Sequence, residues 1–451
     1  MTAVRPTASP VTARAAAAAL AGVLATPVVA VTLSVLGVLL LALAGAGAPN
    51  DHTVAVRLPL SVLPPLSAAL STRVMCGAIA AQALGLLGML LGLRRGWRPR
   101  VAHLFAAGTA AVLLCSSLAP TGSGDVASYA AYGRLAALGA DPYRADPASL
   151  GSRYADLVSP SWLHTSSVYG PLATWIQQAA ATVGGDRAWL TIWLLMLANA
   201  AAFLVTGLLL VRTAEDSSRA AVLWVANPLL IGQLVAGGHL DTFVAGLCLA
   251  ALVRARGPGT WRADATTGIL LGLACGLKIS AGLVGAGLVL VLVRERAWAR
   301  VLRQCAATLC TVLLLYSGYG MHALAPLGAA AHLVSVPSLW QALRHLGDPL
   351  VGAAATGAAI SLGWPAATAA IAWRLHLRLP APASASPLVA MVFVLTLAWV
   401  LAAPWAMPWY SATSWLCAAL LPRRNPLLWV LLAATTFLAL MHNTAGRGWS
   451  W

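Results

Sequence analysis

Residues 101–147 read VAHLFAAGTAAVLLCSSLAPTGSGDVASYAAYGRLAALGADPYRADP, and this stretch contains the two features that decide the fold. Its first part, to about residue 119, is an apolar run of the length that a membrane helix needs. Its second part opens on Asp125 and continues with tyrosine, proline and arginine. An aspartate therefore stands just beyond the end of a predicted membrane helix, at the start of a long loop.

Apolar runs like the first part of this stretch recur along the rest of the chain. Of the 451 residues, 60% are hydrophobic and 9% are charged, which is not the composition of a soluble domain. Roughly a dozen runs approach the ~20 apolar residues that cross a bilayer, and they are continuous in Leu, Ala and Val rather than alternating as in a barrel. The sequence predicts an all-α polytopic membrane protein with about 13 transmembrane helices.

The net charge of +16 would suit a nucleic-acid partner, but its placement argues against one. The arginines lie in short clusters between apolar runs, which is typical of cytoplasmic loops beside anionic lipids. These clusters lie at residues 94–100, 212–219, 254–262, 294–303, 374–378 and 423–424. We expect a multi-pass plasma-membrane protein with membrane lipids, and no nucleic acid, as partners.

If the arginine clusters lie in the cytoplasm, the domain organisation of the chain follows. Residues 1–17 are expected to form a disordered cytoplasmic tail, and residues 18–451 a single transmembrane domain with outer loops at 120–187 and 321–348. We expect the first helix over about 18–46 and the fifth helix over about 220–237. The seven cysteines lack the spacing of a metal site, and no metal or cofactor is expected.

Asp125 is the first candidate for chemistry. A carboxylate at the water–membrane boundary, shielded by aromatic rings, suits a general base that deprotonates a sugar hydroxyl. The structural alternative is that Asp125 caps a helix over residues 126–138. Tyr129 and Arg134 follow on the same segment and are candidate substrate contacts. An amphipathic segment, Pro171 to Val183, is expected at the membrane interface.

Three further motifs carry candidate binding residues. Tyr169 stands in SSVYGPL (166–172), beside a turn; His239 and Asp241 stand in GGHLD (237–241). One His and one Asp are too few for a metal site, so positioning of a substrate or its phosphate is the better interpretation. Trp409 and Tyr410 end PWAMPWY (404–410) and suit lipid or sugar contact, or equally an interface anchor.

Two cations complete the candidate set. Lys278 is the only lysine of the chain and lies in an otherwise apolar run, where an ionisable residue is a functional candidate by default. It can pair with a lipid phosphate, or it can snorkel to the interface. Arg344, in the second outer loop, is a weaker candidate for the same phosphate.

Together these motifs resemble a known family. GDVASYAAYGRLAALGADPY, SSVYGPL, NPLLIGQLVAGGHLDTFVAGL and PWAMPWY, found in order over roughly residues 100–422, are similar to the polyprenol-phosphate-mannose-dependent α-1,6-mannopyranosyltransferases. These belong to the C-type membrane glycosyltransferase superfamily. The resemblance implies the C-type glycosyltransferase fold and a polyprenyl-monophosphate-mannose donor. It also implies an extracytoplasmic active site with Asp125 as the general base. The chain departs from the family's usual His-Asn-Asp at Leu240.

The implied reaction is a single inverting displacement onto a glycan or glycolipid acceptor. Asp125 would deprotonate the acceptor, while Lys278, His239 and Arg344 would stabilise the departing phosphate. Three alternatives stay open. A glycolipid transporter or flippase would place ionisable groups near the bilayer centre and show repeated halves. A transferase of the same fold would use another polyprenyl-phosphate sugar, and a non-catalytic partner or scaffold would keep the fold without the activity.

Overall fold

The computed structural model describes residues 18–151, 153–336, 338–379 and 386–445. The predicted tail, residues 1–17, therefore lies outside the described residues. Within the described ranges the fold is built of helices, and the β-type pairing is a single isolated bridge between Thr53 and Thr121. The prediction of an all-α protein is confirmed.

The first helices lead to the loop that contains Asp125. They are α1 (18–24), α2 (Pro27–Ala46), α3 (Ala68–Arg94) and α4 (Val101–Ser116). The predicted first helix, about 18–46, is confirmed as a membrane-length helix over Pro27–Ala46, but the chain turns at residues 25–26 and separates α1 from it. Proline has no N–H and its ring clashes with the preceding turn, so it is favoured at the first position of a helix and costly in its interior.

The long loop, 120–187, is itself largely helical. It contains α5 (Asp125–Ala137) and α6 (Pro171–Gly184), with two short 3₁₀ turns between them. The amphipathic segment 171–183 is helical, and so is the segment 126–138 that the sequence offered as a helix; the place of α6 at the membrane interface stays a prediction. The two helices cross closely at Gly133, where a Cβ atom would lie only 2.2 Å from the carbonyl oxygen of Gln177. This contact helps to hold α5, and Asp125 with it, against the rest of the molecule.

The segment predicted as the fifth helix, about 220–237, is confirmed as an apolar helical span, but it is interrupted. The region is built from α7 (Ala188–Thr213), α8 (Ser217–Leu223), α9 (Pro228–Leu230), a π-helical turn (Ile231–Ala236) and α10 (Asp241–Ala255). Pro228 breaks the ladder of backbone hydrogen bonds, and the side chain of Asn227 caps the restart by accepting from the N–H of Leu230 at 3.2 Å. Hydropathy alone does not detect this break, because the mean hydropathy within residues 217–236 is still 1.4; the sequence signal is the polar Asn227 followed by Pro228.

The second half of the chain completes the bundle. Its helices are α11 (Trp261–Leu277), α12 (Gly282–Arg294), α13 (Trp298–Tyr316), α14 (Ala325–Ala330), α15 (Leu339–Val351), α16 (Ala353–Arg378), α17 (Pro387–Ala402), α18 (Ala412–Leu420) and α19 (Leu427–Ala445). The segment predicted as an outer loop, 321–348, thus contains α14 and most of α15. The leucines of α15 recur at helical spacing on one face, and this pattern explains the helix.

Six of the described helical segments are long and apolar enough to cross a membrane. They are Pro27–Ala46, Ala68–Arg94, Ala188–Thr213, Ser217–Ala236, Trp298–Tyr316 and Ala353–Arg378. Four shorter apolar helices accompany them. The chain is therefore a helical membrane protein, while the number of crossings and the C-type fold stay predictions.

The crossing of α5 and α6 gives a first testable prediction. Gly133→Ala should lower the thermal unfolding temperature, by the equivalent of about 1–3 kcal/mol, because the new methyl group overlaps the backbone of α6. Gly357→Ala, in the second turn of α16 with open space around its Cβ position, is the control and should leave the unfolding temperature unchanged or slightly raised. Equal behaviour of the two variants in detergent-solubilised protein would contradict this packing.

Candidate active site

Asp125 is the first residue of α5 and lies where the partial positive charge of the helix N-terminus favours a carboxylate. Its backbone N–H donates to Oγ of Ser123 at 3.2 Å. The capping position belongs to Gly124 and carries no side-chain cap, so the alternative of Asp125 as a helix cap is wrong. The side chain is 26% exposed and thus open to a ligand.

Two tyrosines from the long loop line one side of Asp125. The hydroxyl of Tyr129, one helical turn on, lies 3.4 Å from Oδ2 of Asp125 and 3.3 Å from the hydroxyl of Tyr169. The two rings meet edge to face with their centroids 4.9 Å apart. The SSVYGPL motif is therefore brought to Asp125, as the sequence predicted for Tyr169.

His239, two residues before the start of α10, lies next to the carboxylate of Asp125. Its Nδ1 lies 3.4 Å from Oδ2 of Asp125, and the imidazole is almost fully buried. The backbone turns at Gly238, whose φ of +68° suits glycine. The carbonyl of His239 accepts a hydrogen bond from Nδ2 of Asn199 at 2.5 Å, and its ring stacks on Trp409 with centroids 3.6 Å apart. These contacts hold the imidazole in one orientation.

Lys278 lies in the same site but is not a free cation. Its Nζ donates to both oxygens of Asp241, at 3.0 Å and 2.9 Å, and lies 3.9 Å from the centroid of the Tyr410 ring. The side chains of Lys278 and Asp241 are 13% and 9% exposed. The lysine thus points to a buried carboxylate and an aromatic face rather than snorkelling into open water.

Trp409 and Tyr410 belong to this cluster and not to an interface belt. Trp409 is buried between His239 and the edge of His442, whose ring centroid lies 5.0 Å away. His442 comes from α19, and its Nε2 lies 2.8 Å from the carbonyl oxygen of Gly122. The last helix is therefore connected to the loop that presents Asp125.

Sequence reasoning missed Asn199 and His442. Asn199 is a single amide in the apolar run of α7, and a polar side chain in such a run was a usable signal. His442 gave none, because it stands near the end of the last helix with no recognisable motif. Their partners lie far away in the sequence, and only the fold brings them together.

Two predicted residues are not brought to Asp125. Arg134 follows it by nine residues on α5, a rotation of about 180°, and forms an ion pair with Asp186 on the opposite face. Arg344 lies on α15, where its guanidinium donates to the carbonyl of His332 at 3.3 Å. A role in substrate binding for either residue stays a prediction.

The electrostatics of the cluster favour an ionised Asp125. Burial raises the pKa of its carboxyl, but the contact with His239 and the positive charges of Lys278 and His442 outweigh this effect and hold the pKa below its ordinary value. An ionised and partly exposed carboxylate can accept a proton from a bound hydroxyl group. The site thus has one exposed base, one buried ion pair and an aromatic wall.

Fold and site together define a helical membrane protein with a carboxylate-centred, aromatic-lined site. A family model described as alpha-(1→6)-mannopyranosyltransferase, N-terminal domain, matches residues 28–294. The chain belongs to this family. The match contains Asp125, Tyr169, His239, Asp241 and Lys278, while the PWAMPWY motif lies beyond it.

Individual relatives agree with this assignment. A probable alpha-(1→6)-mannopyranosyltransferase of Mycolicibacterium smegmatis is 34% identical over 221 residues, which are 46% of this chain and 38% of the relative. Alpha-(1→6)-mannopyranosyltransferase A of Corynebacterium glutamicum is 34% identical over 141 residues, 30% of this chain and 29% of the relative. Alpha-(1→6)-mannopyranosyltransferase B of the same organism is 26% identical over 349 residues, which are 68% of this chain and 56% of the relative.

The matched part of the chain thus spans less than two fifths of the first two relatives' length. No solved structure is significantly similar to the chain.

The buried ion pair gives the second prediction. Lys278→Ala should destabilise the protein by about 3–5 kcal/mol, because Asp241 is left charged, buried and unpaired. The double variant Lys278→Met, Asp241→Leu should recover most of the loss, since no charge then remains without a partner. Thermal unfolding of the two purified variants measures the difference, and a double variant as unstable as Lys278→Ala would contradict the pairing.

Proposed function

We propose that the protein transfers mannose from polyprenyl-monophosphate-mannose to an extracytoplasmic glycan or glycolipid acceptor and forms an α-1,6 linkage. The observation that carries the proposal is the gathering of a partly exposed carboxylate, a histidine and a Lys–Asp pair in one aromatic-lined site. The family assignment and the activities for which the relatives are named suggest the sugar and the linkage.

Asp125 is the proposed general base. Its carboxylate takes the proton of an acceptor hydroxyl, and the hydroxyl oxygen attacks C1 of the donor sugar. The bond from C1 to the phosphate oxygen breaks with its electron pair, so polyprenyl phosphate leaves and the configuration at C1 is inverted. Tyr129 and Tyr169, whose hydroxyls adjoin the carboxylate, are placed to orient the acceptor or the sugar.

His239 and Lys278 are the proposed partners of the departing phosphate. Lys278 has three N–H donors, of which two are used by Asp241. The remaining donor, together with the imidazole of His239, can hydrogen-bond a phosphate oxygen. Because the Lys–Asp pair is neutral overall, we expect it to place the phosphate, while a hydrogen bond from the imidazole of His239 stabilises the leaving group.

The extracytoplasmic side is proposed from the helices that flank the site. The arginine-rich loop 94–100 precedes α4, and the other end of α4 leads to Asp125. Sixteen helical residues span about 24 Å. On this proposal, a distance close to the thickness of the bilayer's apolar core separates Asp125 from the arginine-rich loop 94–100, which is expected in the cytoplasm.

Asp125→Asn is the direct test. The amide keeps the shape but cannot accept the proton, so transfer of mannose from a defined polyprenyl-phosphate donor should fall by about 10²–10⁴-fold. Asp156→Asn, an exposed carboxylate of the same outer loop, is the matched control and should keep full activity. Product mass spectrometry with mannose, glucose and arabinose donors identifies the sugar. Unchanged turnover by a folded Asp125→Asn variant would remove Asp125 from the proposed role.

The lowered pKa of Asp125 gives a pH prediction. The base is active only when ionised, so the acid limb of kcat/KM should lie below the ordinary aspartate value of 3.8. His239→Gln removes the main contact that lowers this pKa, and the acid limb should then move to higher pH. The pH profiles of the two proteins measure the shift; coincident profiles would show that His239 does not hold Asp125 in its ionised form.

A further inference from the structure

A small cleft lies at the end of the bundle remote from Asp125. It is formed where α3 ends, where α8 begins and where the chain enters α19. Its walls are Leu90, Leu93, Arg94, Arg219, Arg423 and Leu428. The cavity has a volume of about 20 Å³, which is room for a group the size of one water molecule or one oxygen atom.

Arg219 carries an unused hydrogen-bond donor at this cleft. The side chain is only 3% exposed, and Nη1 donates to the carbonyls of Ala419 at 3.3 Å and Leu421 at 2.7 Å. Its Nη2 is buried and finds no acceptor among the residues that the structure describes. An unsatisfied donor on a buried cation is costly, so an anionic oxygen entering the cleft would be stabilising.

The side chains around the cleft carry more positive than negative charge, which also favours an anion. The guanidinium of Arg94 stacks over Trp429 at 4.4 Å from the ring centroid, which occupies its face and leaves its edge N–H groups free to donate. Arg423 pairs with Asp216. Within the described ranges, Asp216 is the single carboxylate in an ion pair with any of these three arginines.

We propose that this cleft binds the phosphate of an anionic phospholipid in the cytoplasmic leaflet. One phosphate oxygen enters the cleft and accepts from Nη2 of Arg219, while Arg94 and Arg423 hold the oxygens that remain outside. Since the three leucines of the walls are 2–4% exposed, the apolar chains of the lipid stay outside the cleft in the bilayer, an anchorage that a soluble phosphate ion lacks. Basic pockets between membrane helices on the cytoplasmic side are suited to such head groups. The site is remote from the proposed transfer site.

Native mass spectrometry of the detergent-solubilised full chain tests the proposal. The probes are phosphatidylglycerol, phosphatidylcholine and inorganic phosphate. We expect one phosphatidylglycerol to be retained in preference to phosphatidylcholine, and no retention of inorganic phosphate. Arg94→Gln and Arg423→Gln should each weaken phosphatidylglycerol binding by about tenfold, because each removes a charge-assisted contact.

Exposed arginines of the same two loops supply matched controls. Arg98→Gln and Arg424→Gln remove the same charge without touching the cleft walls, and their binding should stay within about twofold of the unmodified protein. Arg219 is left unchanged because it also holds two backbone carbonyls. Equal losses in controls and cleft variants, or equal retention of both lipids, would overturn the site. Retention of inorganic phosphate in place of lipid would overturn the lipid as its ligand.

Discussion

The structure depends on the burial of polar groups that must satisfy one another in an apolar protein. Asp125 opens α5 and Asp241 opens α10, so two carboxylates from distant parts of the chain stand at helix N-termini beside one site. His239 lies next to Asp125, and the ammonium group of Lys278 donates to both oxygens of Asp241. Because unpaired charges cannot be buried in such surroundings, these contacts determine how the two halves of the bundle meet.

Broken helices make this arrangement possible. A continuous helix over 220–237 would run past the site, whereas the break at Asn227–Pro228, the π-helical turn and the positive φ of Gly238 redirect the chain so that His239 and Asp241 start a new helix. Irregular backbone at membrane depth is tolerated where it is buried within the protein. The π-helical turn is buried along its whole length, which meets this condition.

Much of the fold and part of the site could be predicted from the sequence. Apolar runs and arginine clusters predicted the helices, and the motifs around Asp125, Tyr169, His239, Lys278 and Tyr410 indicated residues that the fold brings together. The break within 220–237 escaped prediction because hydropathy is insensitive to backbone geometry. Arg134 was grouped with Asp125 because they are close in sequence, but nine helical residues place them on opposite faces. His442 could not be found, since its contacts are made only through tertiary structure.

The most direct test is a structure of the protein with a non-hydrolysable phosphonate analogue of the polyprenyl-phosphate-mannose donor. The proposed mechanism predicts C1 of the sugar about 5–6 Å from the carboxylate of Asp125, which leaves room for one acceptor hydroxyl between them. It also predicts the phosphonate within hydrogen-bond distance of His239 or Lys278. A phosphonate bound at the arginine-rich end of the bundle, or a sugar separated from Asp125 by the body of α5, would contradict the account.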